Sequence, residues 1–109
     1  GRQTRTFCYI DDAINGIMLV AIKGKNGETY NIGNSRPELS IKELVNEFDQ
    51  AIDKKHEVNI TNYPDSYPSD EPQRRCPDIS KIERELGYKT NTGIREGLKE
   101  TFNWACRNY

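Results

Sequence analysis

The opening stretch, GRQTRTFCYIDD, leaves this chain few options. Thr6, Phe7, Cys8, Tyr9 and Ile10 are β-branched, aromatic or small and apolar, the side chains a short strand takes. Asp11 and Asp12 follow as N-cap candidates, ahead of an apolar run from Ile14 to Ile22. The pattern predicts a strand that feeds directly into a helix. Gln3 and Arg5 stand at the entry of that strand, a rigid mount for a group that must meet a ligand. The guanidinium of Arg5 is a planar fork suited to an oxyanion or phosphate. The plain alternative is an edge strand with Arg5 in solvent.

Beyond this start, periodicity predicts a helix from about Ala13 to Lys23, with Ile14, Ile17, Met18, Ala21 and Ile22 at helical spacing. Leu19 and Val20 widen its apolar surface, so it should be covered on more than one side. Gly16 lowers helix propensity and suits a close helix–strand contact. Glu28 to Ile32 (ETYNI) reads as a strand. Ser40 and Glu43 form a capping box ahead of Ile41, Leu44, Val45, Phe48 and Ile52, an amphipathic stripe. Glu57 to Thr61 alternates and suggests a further strand, and residues 63–77 read as a proline-bearing loop, a frequent seat of function. Asp78 or Ser80 opens a third helix that Gly87 ends. Thr92 is placed to cap a fourth, with Ile94, Leu98, Phe102 and Ala105 aligned and Trp104 beside them.

The chain has 109 residues, enough for one small domain. Only 34% are hydrophobic against 30% charged, and adding the eight glycines still leaves the apolar share below the usual ~45–50%. A thin core follows, one that another domain or chain would complete. A net charge of -1 gives no global field for nucleic acid. No apolar run approaches the ~20 residues that cross a bilayer, so no membrane partner is expected. The three cysteines, Cys8, Cys76 and Cys106, form no CxxC pair, and the single histidine, His56, has no neighbouring ligand type. That argues against zinc and against a disulfide framework, and fits a reducing cytoplasm. The sequon Asn59-Ile60-Thr61 has no secretory context.

Three constellations could carry chemistry. Gln3, Arg5, Arg74 and Arg75 supply the fixed donors that a pyrophosphate needs, each charge-assisted bond contributing roughly 1.5–3 kcal/mol; the alternative for Arg74-Arg75 is a solvated basic pair beside Asp70 and Glu71. Asp78 could orient a nucleotide or the arginine near it, or simply cap the third helix after Pro77. Tyr9 could line a sugar or nucleotide site, or be a half-buried strand residue. Cys8 and Cys76 have no basic neighbour that would make either a nucleophile.

The strings QTRTFCYIDDAINGI, YNIGN, DEPQRRCPDISKIERELGY and IREGLKETFNW, in this order, resemble the C-terminal part of the extended short-chain dehydrogenase/reductase family. These are the NAD-dependent nucleotide-sugar epimerases, dehydratases and decarboxylases. DEPQRRCPDISK looks most like UDP-glucuronate decarboxylases, and the tail also looks like dTDP-glucose 4,6-dehydratases; UDP-sugar 4-epimerases are third. The resemblance implies a mixed α/β fold: a C-terminal substrate-binding subdomain of short strands and about four helices, spanning residues 1–109. Segment 28–32 would then be an edge strand of a Rossmann sheet that lies outside this chain. It implies a nucleoside-diphosphate sugar as ligand, with Arg5 and Arg75 flanking its diphosphate. Cys76 departs from the family, whose decarboxylase-like members carry a basic residue there.

The family's other machinery is not in these residues. No GxGxxG or GxxGxxG occurs. The family's catalytic tyrosine precedes a lysine by four positions, whereas Tyr9, Tyr30, Tyr63, Tyr67 and Tyr88 precede Ala13, Asn34, Tyr67, Glu71 and Thr92. The expectation is therefore a piece of a longer enzyme, inactive alone, with no catalytic or cofactor-binding residue of its own. NAD would be held by an N-terminal part, the rest of the parent chain would be a partner, and a homodimeric parent would use helices outside this chain. The rival expectation is a stand-alone, non-catalytic binding or interaction module.

Overall fold

The computed structural model describes residues 2–64, 66, 68 and 70–109. In chain order these form β1 (Thr4–Thr6), α1 (Ile10–Lys23), β2 (Glu38–Ser40), α2 (Ile41–Ile52), β3 (Arg74–Arg75), α3 (Ser80–Leu86) and α4 (Ile94–Asn108). The strands lie in the order β2-β1-β3. β2 runs antiparallel to β1, with Arg5 opposite Leu39, and β3 runs parallel to it, with Arg5 opposite Arg75. The fold is the mixed α/β arrangement expected, with small sheet and helices.

α2 forms as its sequence dictates. The Glu43 amide donates to Ser40 Oγ at 3.2 Å, and the Ser40 amide donates to Glu43 Oε2 at 2.7 Å. Its apolar stripe packs on α4, where Phe48 meets Phe102 edge-on with ring centroids 5.8 Å apart. α1 instead rests on α3. Between them Ile79, Ile82, Leu86 and Tyr88 are buried, joined by Leu19, Val20, Tyr30 and Ile32. Gly16 is where α1 comes closest: a Cβ there would stand 2.5 Å from Ile32 Cγ2 and 3.0 Å from Tyr88 Cε2. Only the absence of a side chain permits that approach.

Several expectations are corrected. The first strand is Thr4–Thr6, not residues 6–10, and α1 begins at Ile10. Asp11 and Asp12 therefore sit in the first turn, with Tyr9 at the N-cap position and no side-chain cap. Asp12 is only 2% exposed, and its two carboxylate oxygens accept from the amides of Asn91 at 2.9 Å and Thr92 at 3.0 Å. It is a cross-chain anchor for the α3–α4 turn. Thr92 does not cap α4; Gly93 holds that position. Residues 28–32 form no strand in this structure: Tyr30 and Ile32 turn into the core, and Lys81 Nζ donates to the Thr29 carbonyl at 2.8 Å. Residues 57–61 form none either: Val58 and Ile60 are exposed, and the segment joins no sheet among the described residues. Nor is α1 covered all round. Its stripe of Ile10, Ile14, Ile17, Met18 and Ile22 is between 49% and 73% exposed.

Asp12→Ala leaves two part-buried amides, those of Asn91 and Thr92, without this acceptor, and each such loss costs the lower part of roughly 1–3 kcal/mol. Urea unfolding should show the variant destabilised by about 2–4 kcal/mol, with an unchanged stability refuting the anchor. Hydrogen bonds from Arg74 and Thr4 hold Glu38 below the usual carboxylate range, Arg95 does so for Glu47, and His56 for Asp49. A depressed folded-state pKa stabilises the fold above the unfolded value and is lost as pH drops through the folded one. The urea midpoint should therefore fall progressively below about pH 4. Neutral substitutions at Glu38, Glu47 and Asp49 together should flatten that fall.

Candidate functional site

Side chains alternate across a strand, so β1 sends Arg5 to one face of the sheet and Thr4 and Thr6 to the other. The same alternation separates the two adjacent arginines of β3. Arg74 goes with Thr4: its Nε and Nη2 donate to Glu38 at 2.8 and 2.7 Å, and the Thr4 hydroxyl donates to Glu38 as well. Arg75 goes with Arg5, its partner in the parallel register.

There the two guanidinium groups meet one carboxylate. Arg5 Nη2 donates to Glu71 Oε1 at 2.8 Å, and Arg75 Nη2 donates to Glu71 Oε2 at 3.2 Å. Their situations differ. The Arg5 side chain is 17% exposed, and it also donates to the carbonyls of Thr4 at 2.8 Å, Pro72 at 2.7 Å and Gln73 at 3.2 Å. The Arg75 side chain is 60% exposed, and Glu71 takes its one hydrogen bond described here. Two cations against one anion leave one positive charge of the three without a counter-charge inside the trio. Concentrated fixed donors of this kind recognise phosphate or carboxylate oxygens.

The remaining candidates are placed apart from this pair or beside it. Gln3 immediately precedes β1, and its Oε1 accepts from the Tyr63 hydroxyl at 2.7 Å. Asp78 turns to α3: its Oδ1 accepts from the Ser80 amide at 2.9 Å, a bond that holds its carboxyl below the ordinary range. Asp78 thus braces the turn just ahead of α3 and does not cap it as expected, because the N-cap position falls to Ile79, which makes no side-chain cap bond. Tyr9 lies on another surface. Its ring covers Gly97 of α4, where a Cβ would meet Tyr9 Cδ2 at 3.1 Å. It lines a cleft of about 650 Å³ with Ile10, Ile94, Leu98 and Trp104 among its walls. Of the expected set, the structure therefore brings Arg5 and Arg75 together, has Gln3 two positions before Arg5 in the chain, and separates Arg74 by sheet face. Sequence reasoning gave no role to Glu71 beyond a neighbour of the basic pair. Its spacing of four residues from Arg75 was the available signal, but nothing local foretold the bond to Arg5.

Among the described residues, no group of three or more His, Cys, Asp or Glu is arranged to hold a metal ion. The β1–α1 turn is Phe7-Cys8-Tyr9, bulky where a dinucleotide pyrophosphate would need bare backbone, so it does not fit as an NAD cradle. No helix is long and apolar enough to cross a membrane among the described residues.

Known proteins are similar to this chain over most or all of its length. A family model described as GDP-mannose 4,6 dehydratase matches residues 1–101. The dTDP-D-glucose 4,6-dehydratase of Homo sapiens is 36% identical over 112 residues, covering 100% of this chain and 31% of that protein. UDP-glucuronic acid decarboxylase 5 of Arabidopsis thaliana is 35% identical over 99 residues, covering 90% of this chain and 27% of that protein. Among solved structures, the UDP-glucuronic acid 4-epimerase from Bacillus cereus, in complex with UDP-glucuronic acid and NAD, matches with a TM-score of 0.81 at 32% identity. That match covers 100% of this chain and 34% of the epimerase. The chain thus spans about a third of the length of these relatives. Because the family match takes in both arginine-bearing strands and every helix through most of α4, the chain belongs to the GDP-mannose 4,6 dehydratase family.

Proposed function

We propose that this chain is the nucleotide-sugar-binding part of an NAD-dependent enzyme that modifies the sugar through a 4-keto intermediate. The reading favoured is UDP-glucuronate decarboxylase-like or dTDP-glucose 4,6-dehydratase-like. A UDP-sugar 4-epimerase is the alternative, supported by the structural likeness to the Bacillus cereus enzyme. The observation that carries the proposal is the parallel register of Arg5 with Arg75, which sets two guanidinium groups at one carboxylate. A diphosphate presents the same oxygen chemistry to the same donors. Arg75, exposed and lightly held, is the group that grips it; Arg5 fixes the floor, and Gln3 adds an amide beside it. Tyr9 and Asp78 are kept as candidate sugar and nucleotide contacts of the parent, away from the arginine pair: Tyr9 from the cleft beside α4, Asp78 from the start of α3. The work of this part is binding and orientation. NAD supplies the hydride chemistry and belongs to residues outside this chain.

The exposed stripe of α1 and the thin core fit a part that rests against the rest of a longer, cytoplasmic parent chain. In that parent, segment 28–32 would add an edge strand to the nucleotide-binding sheet, which supplies the ladder it lacks here. A homodimeric parent fits the same scheme. A stand-alone binding module is the competing reading; a glycine-rich βαβ segment and a Tyr-x-x-x-Lys in the reading frame upstream of Gly1 would exclude it.

Isothermal titration with UDP should show Arg75→Ala weakening binding by about ten- to a hundredfold, the loss of one charge-assisted contact. Arg74→Ala, on the opposite sheet face, should change it far less. Equal affinity for UDP before and after Arg75→Ala removes Arg75 from the site. The 109 residues alone should bind no NAD; detectable NAD affinity in the same experiment overturns the division of labour.

A further inference from the structure

Glu71 occupies the position an anionic ligand would have to take. Its two oxygens face the two arginines, one each, and its side chain is 24% exposed, so it competes for both forks from a partly shielded position. We infer that Glu71 is an internal counter-anion that sets the affinity of this site, releasing Arg75 only to a ligand that carries more negative charge than a single carboxylate. The inference rests on reading Arg5 and Arg75 as the diphosphate fork.

The hydrogen-bond inventory makes the exchange feasible without unravelling the sheet. If Glu71 withdraws, Arg5 keeps its three backbone acceptors, the carbonyls of Thr4, Pro72 and Gln73. The Thr4 amide still donates to the Gln73 carbonyl at 2.9 Å, which holds β1 against the segment leading into β3. Arg5 therefore remains a fixed positioning residue. Arg75 behaves differently: it loses the hydrogen bond described for it and is free to turn to the newcomer. A singly charged anion gains little by replacing a carboxylate that is already tethered in place. A diphosphate brings more charge and more acceptor oxygens, so it wins the exchange. Glu71 thus lowers affinity for every anion and favours the more highly charged ones.

The test is calorimetric titration of the full chain with UDP and, separately, with inorganic pyrophosphate. Glu71→Gln keeps the shape and removes the charge. It should bind both ligands about three- to fivefold tighter than the natural chain, the scale of one weak, partly shielded ion pair. Adding Arg75→Ala to it should abolish the gain. If pyrophosphate gains but UDP binds no better than pyrophosphate, the counter-anion stands and the nucleotide-sugar reading falls. If UDP binding depends on Arg75 yet is unchanged or weaker in Glu71→Gln, the counter-anion is refuted and the site reading survives. No binding of either ligand to a folded Glu71→Gln chain also refutes it. Should that variant fail to fold by circular dichroism, Glu71→Asp serves: the shortened carboxylate should give a smaller gain, about twofold, and no gain overturns the inference.

Discussion

The Arg5 clasp is the interaction on which the arrangement of this protein turns. One half-buried guanidinium ties β1 to a segment 66 to 68 positions further along the chain, through one carboxylate and two carbonyls. With the Arg74–Glu38 pair and the bond from the Thr4 amide to the Gln73 carbonyl, it holds β3, only two residues long, to the sheet. The clasp works because arginine offers five donors in a rigid plane, enough to satisfy several acceptors at once. The same bonds that fix the loop bring Arg75 alongside. Of the two, Arg5 is held by several acceptors and Arg75 stays the more exposed.

A second constraint is the division of α1 between two environments. Leu19 and Val20 face the small core, and Gly16 lets the helix close on Ile32 and Tyr88. The opposite stripe finds no cover among the described residues. Burial of apolar surface contributes roughly 25 cal/mol per Å², so a helix face left in water forgoes much of that stabilisation. Asp12 offsets part of the shortfall by a different route. It spans 79 and 80 positions to hold the turn ahead of α4, which substitutes directed hydrogen bonds for core volume.

Much of the helical content was legible in the chain because its signals are local. Ser40 and Glu43 are three residues apart, and Gly87 closes α3 at a left-handed φ of 72°. The strands were not. Residues 28–32 and 57–61 carry strand-like side chains and pair with nothing here, whereas Glu38–Ser40 and Arg74–Arg75 pair without strand-like composition. Pairing is a property of two segments, and no single segment encodes it. The role of Asp12 was hidden for the same reason: a carboxylate at a helix start looks like a cap until its distant amides are known.

What the amino-acid order decided by itself is the helices, the capping box of α2, the glycine that ends α3, the thinness of the core and the supply of arginines at the start and near residue 75. The motif strings also carried the family likeness, which the match over residues 1–101 bears out. Which arginine joins which was settled only by tertiary structure. Neighbours in sequence, Arg74 and Arg75, part to opposite faces because a strand alternates, while Arg5 and Arg75, seventy positions apart, share one face because β3 lies parallel and in register beside β1. A register is a relation across space, so it exists only once both strands have been brought together.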